Sequence, residues 1–291
     1  MLELVRIARV LLWVAAVALL SLGVAAWLFP DRASEQFPWS VSPFLAMTIG
    51  GWSIGTGLFA ADAARDLRRD RVYPLVTYLG VFSLGQLLVV LAFADRLRLG
   101  VILTWPYLLG LGTALAGSVL AAVAWRQAAG DRDIDGDGNR RRSDGRSVPG
   151  WARVVVALFT LFVGSLALGT FIAGPEGAIA QGRVFPEPMS LFSIRAFSAF
   201  LFALTVASAS LLVARRALPY HELARAGMYL LLPITFASLL NLDVFTVEGP
   251  LTFFYLASYV LVTLGLGWVL WAQRDDPALH PRREEHTPAS P

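Results

Sequence analysis

Apolar residues run almost unbroken through eight stretches, 10–29, 43–61, 72–94, 100–125, 154–173, 189–214, 226–242 and 250–273. Nearly all of the charge falls between them. Most of the stretches lie close to the ~20 residues that a helix needs to cross a ~30 Å hydrocarbon core. They are too long and too evenly apolar for barrel strands, which alternate, and a lipid-exposed backbone that is not a barrel must be helical. The pattern therefore predicts an all-α, polytopic integral membrane protein of eight transmembrane helices. Residues 10–29 follow Arg6 and Arg9 as a secretory leader would, but the apolar run exceeds a leader core, and we read it as a retained first helix.

The eight stretches fall into two sets of four that superimpose at an offset of 148 residues. Over residues 10–125 the offset gives 18 identities, against roughly a dozen expected for such biased composition. The clustering of the matches carries more weight than their number. Phe37, Pro38, Ser42 and Phe44 pair with Phe185, Pro186, Ser190 and Phe192; Asp95 pairs with Asp243; Leu103, Thr104, Tyr107 and Leu108 pair with Leu251, Thr252, Tyr255 and Leu256. We expect two tandem four-helix repeats, 1–125 and 151–273, joined by a flexible charged linker at 126–150 and followed by a disordered tail at 274–291. An even number of helices per repeat points both halves the same way. Their relating axis is then a pseudo-twofold along the membrane normal.

Composition agrees with this picture: 56% of the 291 residues are hydrophobic and 15% charged. Every basic side chain is Arg, since Lys is absent, and this usage together with abundant Ala, Gly, Leu and Val suggests a GC-rich bacterial genome. Seventeen Arg lie in the N-terminus, the 62–71 loop, the 126–150 linker, the sixth loop and the tail, whereas the alternate loops hold four. The positive-inside rule then puts both termini in the cytoplasm of a multi-pass cell (inner) membrane protein. Topology accounts for the basic charge, and we expect no nucleic-acid partner. There is no Cys, and the three His fall outside the expected spans, so neither a catalytic constellation nor a cofactor is expected.

Charge inside a span is the first place to look for function. Arg195 stands inside the outer end of the sixth span; it is expected to snorkel, to meet Glu187, Asp95 or Asp243, or to bind an anion or lipid head. Asp95 and Asp243 sit where helix C-termini disfavour anions. They are expected either to cap the segment that follows or to line an outer mouth with Arg195, Tyr107 and Tyr255. Gln86, Thr235, Ser238 and Asn241 are read as interhelical glue or as a polar path. Pro233 should loosen its helix, and Gly50, Gly51, Gly55 and Gly57 should allow close packing. Trp27, Trp39, Trp105, Trp125, Trp151 and Trp271 are expected at the water boundaries.

Two charged segments complete the inventory. Asp62, Asp66 and Asp70, with Arg between them, suggest a helix continuing past the membrane, read first as a solvated helix end that pins topology and otherwise as a docking site for a partner or anionic lipid heads. Asp131, Asp133, Asp135, Gly136, Asp137 and Asn139 match the early positions of a calcium loop, but the twelfth is Arg142 rather than Glu. A solvated linker explains that run better. Two functions remain open, a structural or partner-binding membrane component and a small-molecule, anion or lipid transporter with its site near Arg195.

Overall fold

The computed structural model describes residues 2–134, 148–214, 216–245 and 250–274. Among these there are helices and no strands. The helices are α1 (Leu2–Leu28), α2 (Pro30–Glu35), α3 (Pro43–Arg65), α4 (Arg69–Ala92), α5 (Thr104–Ile134), α6 (Gly150–Ile172), α7 (Leu191–Leu212), α8 (Leu218–Leu240) and α9 (Pro250–Ala272), with short 3-10 turns at Ala94–Arg96 and Leu242–Val244. All except α2 are long and apolar enough to span a bilayer. The chain is an all-helical, multi-pass membrane protein.

Four helices form the interior. α3 packs against α1 on one side and α8 on the other, α4 against α5 and α7, and α4 also meets α8. α6 lies on α7, α9 on α8, and α1 closes against α5. α3 is the most enclosed because its glycines admit backbones where side chains would intrude. A Cβ on Gly55 would stand 2.5 Å from Leu230 Cα, and one on Gly51 would stand 3.1 Å from Ile234 N. The expected close packing of this helix is thus present. α6 and α9, by contrast, leave Leu161, Phe171, Leu261 and Trp268 exposed, as lipid-facing surfaces require.

Local chemistry sets the helix entries. Ser42 precedes Pro43 at the start of α3 and accepts the Leu45 N–H; Ser190 begins α7 in the same way, accepting the Ser193 N–H. Pro233 does not end its helix: α8 runs unbroken, and the Trp27 indole N–H donates to the Pro233 carbonyl at 3.0 Å.

Four expectations need correction. The 62–71 segment is not one helix, because α3 ends at Arg65 and α4 begins at Arg69, with Leu67 buried between them. α8 begins at Leu218 rather than near 226, which brings His221 into its first turn. α5 continues through Gln127 to Ile134, so the first part of the expected linker is helical. Trp39 is not a boundary anchor; it is buried, stacked on Phe192 with centroids 4.4 Å apart.

Candidate functional site

The sequence-derived candidates separate into three places. Gln86 and Tyr107 come together in the interior: the Tyr107 hydroxyl donates to Gln86 Oε1 at 3.0 Å, and Gln86 Nε2 donates to the Ala196 carbonyl at 2.8 Å. Trp39 leans on Tyr107 and donates its indole N–H to Ser193 Oγ. α4, α5, α7 and the segment before α3 are thereby tied together by groups that satisfy one another. Such bonds are interhelical glue.

Arg195 meets neither a carboxylate nor either of its expected aspartates among the described residues. Its guanidinium donates to the carbonyls of Thr170 at 2.7 Å and Ala173 at 3.0 Å, and lies 5.7 Å from the Phe171 ring centre. These are terminal carbonyls of α6, which have no intrahelical donor and carry the negative end of the helix dipole. Arg195 is a C-terminal cap supplied by the neighbouring helix. Arg195→Met should lower stability by about 2 kcal/mol through the orphaned carbonyls, with Arg195→Lys recovering part of it. Equal melting temperatures for Arg195→Met and the native protein would exclude this role.

Asp95 and Asp243 do not cap the turns that follow α4 and α8. They are the middle residues of those turns, whose preceding residues Phe93 and Asn241 make no side-chain cap. Both are exposed, and Asp95 pairs with Arg96 at 3.0 Å. Among the described residues neither Asp is paired with Arg195, whose guanidinium is engaged by α6. Glu187 instead accepts a hydrogen bond from the Ser42 hydroxyl and borders a small, partly open recess of about 10 Å³ with Phe185, Phe197 and Tyr255. Tyr255 is enclosed by Phe185, Phe245 and Tyr259. Asn241 donates back to the Ala237 carbonyl at the end of α8.

The strongest polar constellation was not legible in the sequence. On the Arg-rich side, Glu222 of α8 is buried and its Oε1 accepts from Arg71 Nε of α4 at 2.6 Å. Its Oε2 lies 2.7 Å from Arg225 Nη2, which also donates to Asp62 of α3 at 2.9 Å. Arg71 reaches on to Asp66 at 3.1 Å. Arg225 therefore does not snorkel, as a residue near a span end would. The available signal was Glu222 and Arg225 three apart on one helix face, together with a 62–71 segment that carries both signs, Asp62, Asp66 and Asp70 among four Arg. It was hidden because the helix start was placed after both.

Beside this network lies a cavity of about 840 Å³ between the ends of α4, α5, α7 and α8. Arg68, Arg69, Asp70, Tyr73, Trp125 and Arg216 line it. Asp70 holds Arg68 at 2.9 Å, and that hydrogen bond and its charge raise the Arg68 pKa above the ordinary guanidinium value. Comparison with protein-family models, curated proteins and solved structures gives no match.

Among the described residues no group of three or more His, Asp or Glu is placed to hold a metal. Asp131 and Asp133 fall in the last turn of α5, while Asp135, Gly136, Asp137, Asn139 and Arg142 lie outside the described residues.

Proposed function

We propose that this protein is a structural or partner-binding component of the cell membrane, with no reaction of its own. The observation that carries this reading is the engagement of the intramembrane polar groups with one another. Gln86 is satisfied at both ends, Arg195 caps α6, Thr235 bonds Thr263 at 2.9 Å, and Ser198 bonds the Ala167 carbonyl at 3.0 Å. A carrier needs such groups free for its cargo. Partner contact falls to the Arg-rich end, at 62–71 and the 126–150 segment, which the charge bias assigns to the cytoplasm of a bacterial cell together with both termini.

The proposal includes descent from a duplicated four-helix unit, and several observations support it. The 148-residue offset carries the end of α4 onto the end of α8, each followed by a 3-10 turn, and it carries the Ser42 cap onto the Ser190 cap. It maps Gly51 to Ala199 and Gly85 to Pro233; Gly51 packs on Pro233, and Ala199 packs on Gly85. Trp52 and its counterpart Phe200 stack on each other, 4.0 Å apart and nearly parallel. A residue that touches its own counterpart is what a pseudo-twofold axis between halves requires.

A transporter remains the second reading because Trp52 Nε1 and the Ser83 and Ser238 hydroxyls are buried without a hydrogen-bond partner. Single Cys substitutions at Ser83, Gln86, Ser238 and Asn241, probed with a water-borne thiol reagent in membranes, separate the two. We expect no labelling of the first three and slow labelling of Asn241 at the helix end. Rapid labelling at Ser83, Gln86 and Ser238 requires a wet centre and overturns the scaffold reading in favour of the carrier.

A further inference from the structure

We propose that the cavity between the Arg-rich ends of α4, α5, α7 and α8 binds a phosphate-bearing anion, carried by an acidic lipid headgroup or free in solution. This inference is independent of whether the protein is a scaffold or a carrier. Its volume of about 840 Å³ accommodates a phospholipid headgroup, and its charge is one-sided: Arg68, Arg69 and Arg216 against the single carboxylate of Asp70. Asp70 lies 2.9 Å from Arg68 and 4.0 Å from Arg216, which gathers two exposed guanidinium groups around one partly exposed carboxylate. Arg69 is exposed and has no ion pair among the described residues. Guanidinium groups present paired N–H donors that match phosphate oxygens.

The cavity walls also suit an anion at the membrane surface. The N-termini of α4 and α8 both open onto it, at Arg69 and Pro219, adding the positive ends of two helix dipoles. The opposing C-terminus of α7 is partly neutralised, because the Tyr73 hydroxyl donates to the Ser210 carbonyl and the Tyr220 hydroxyl to that of Leu211. Trp125 donates its indole N–H to the Leu67 carbonyl, leaving its ring as an amphipathic side wall at the depth where headgroups lie. Basic pockets between transmembrane helices on the cytoplasmic side recognise phosphate headgroups by this combination of charge and depth.

The test uses the full-length protein in phosphatidylcholine nanodiscs, alone, with phosphatidylglycerol added to the bilayer, or with inorganic phosphate added to the buffer. Melting temperature and lipid retention by native mass spectrometry are read for the native protein, for Arg69→Gln, and for Arg69→Gln combined with Arg216→Gln. Phosphatidylglycerol should raise the native melting temperature and remain bound. The double variant should bind it roughly 30-fold more weakly while melting with the native protein in pure phosphatidylcholine. Arg69→Gln, which removes an exposed side chain, should lie between them, whereas Arg96→Gln at the other end should behave as native. Stabilisation by inorganic phosphate at the same residues assigns the site to a soluble phosphate, and response to phosphatidylglycerol alone assigns it to lipid. If neither probe stabilises the native protein, or if Arg69→Gln and the double variant respond as fully as the native protein does, the proposal fails.

Discussion

Gly55→Leu should leave no folded, monodisperse protein after detergent extraction. Even a Cβ at this position meets Leu230 at its Cα, Cβ and backbone N, all within 2.9 Å, and backbone cannot yield as a flexible side chain can. α3 and α8 would have to move apart, undoing the contact that joins the central helices of the chain. Overpacking of a single methyl in a tight interior costs about 1–3 kcal/mol, and the isobutyl group of Leu adds to that against a total stability of roughly 5–15 kcal/mol. Gly55→Ala should therefore survive with a depressed melting temperature. Gly112→Leu is the control, because nothing stands within 4 Å of a Cβ at Gly112. If Gly55→Leu elutes and melts as Gly112→Leu does, the close approach of α3 and α8 is wrong.

Glu222→Ala should be as damaging as the loss of Arg195, and the most damaging change within the charged network of α3, α4 and α8. It deprives Arg71 and Arg225 of the carboxylate they share, leaving Arg71 to Asp66 and Arg225 to Asp62, which also meets Arg65 at 3.6 Å. Removing one member of a fully buried ion pair costs about 3–5 kcal/mol. The two Arg side chains here are 34% and 33% exposed, and water softens the loss. We expect about 2 kcal/mol, with Glu222→Gln intermediate. Arg225→Ala should cost less in the Glu222→Ala background than in the native protein, since only its Asp62 contact is then left to lose, a coupling that a double-mutant cycle on denaturation midpoints measures directly. Strict additivity of the two changes would mean that the network is surface decoration.

The spans and the small residues of α3 were legible because membrane insertion demands long apolar runs, and close helix packing demands glycine. Partner assignment was not legible. Arg195 was expected to snorkel, to meet a carboxylate or to bind an anion, since unlike charges are the obvious pairing, but the partly negative carbonyls at the end of α6 lie within hydrogen-bond distance of its guanidinium. Likewise the four-residue spacing of Asp62, Asp66 and Asp70 looked like one helical face, yet the chain breaks after Arg65. The three carboxylates then serve Arg225, Arg71 and Arg68 in turn. Glu222 was missed because hydropathy places a span's edge at the last apolar residue, whereas a helix continues wherever its charges find partners.

The way α7 rests on α4 and α8 on α3 has a consequence for biogenesis. α1, α3, α4 and α5 can assemble among themselves as they leave the ribosome, but the glycine-lined face of α3 and the acidic group at Asp62 stay uncovered until α8 is made. At ordinary translation speeds that interval is on the order of ten seconds. For that time a half-built protein displays a groove fitted to a helix and a carboxylate held only by the exposed Arg65 of its own helix, which is the state in which an insertion chaperone, or a quality-control protease, would meet it.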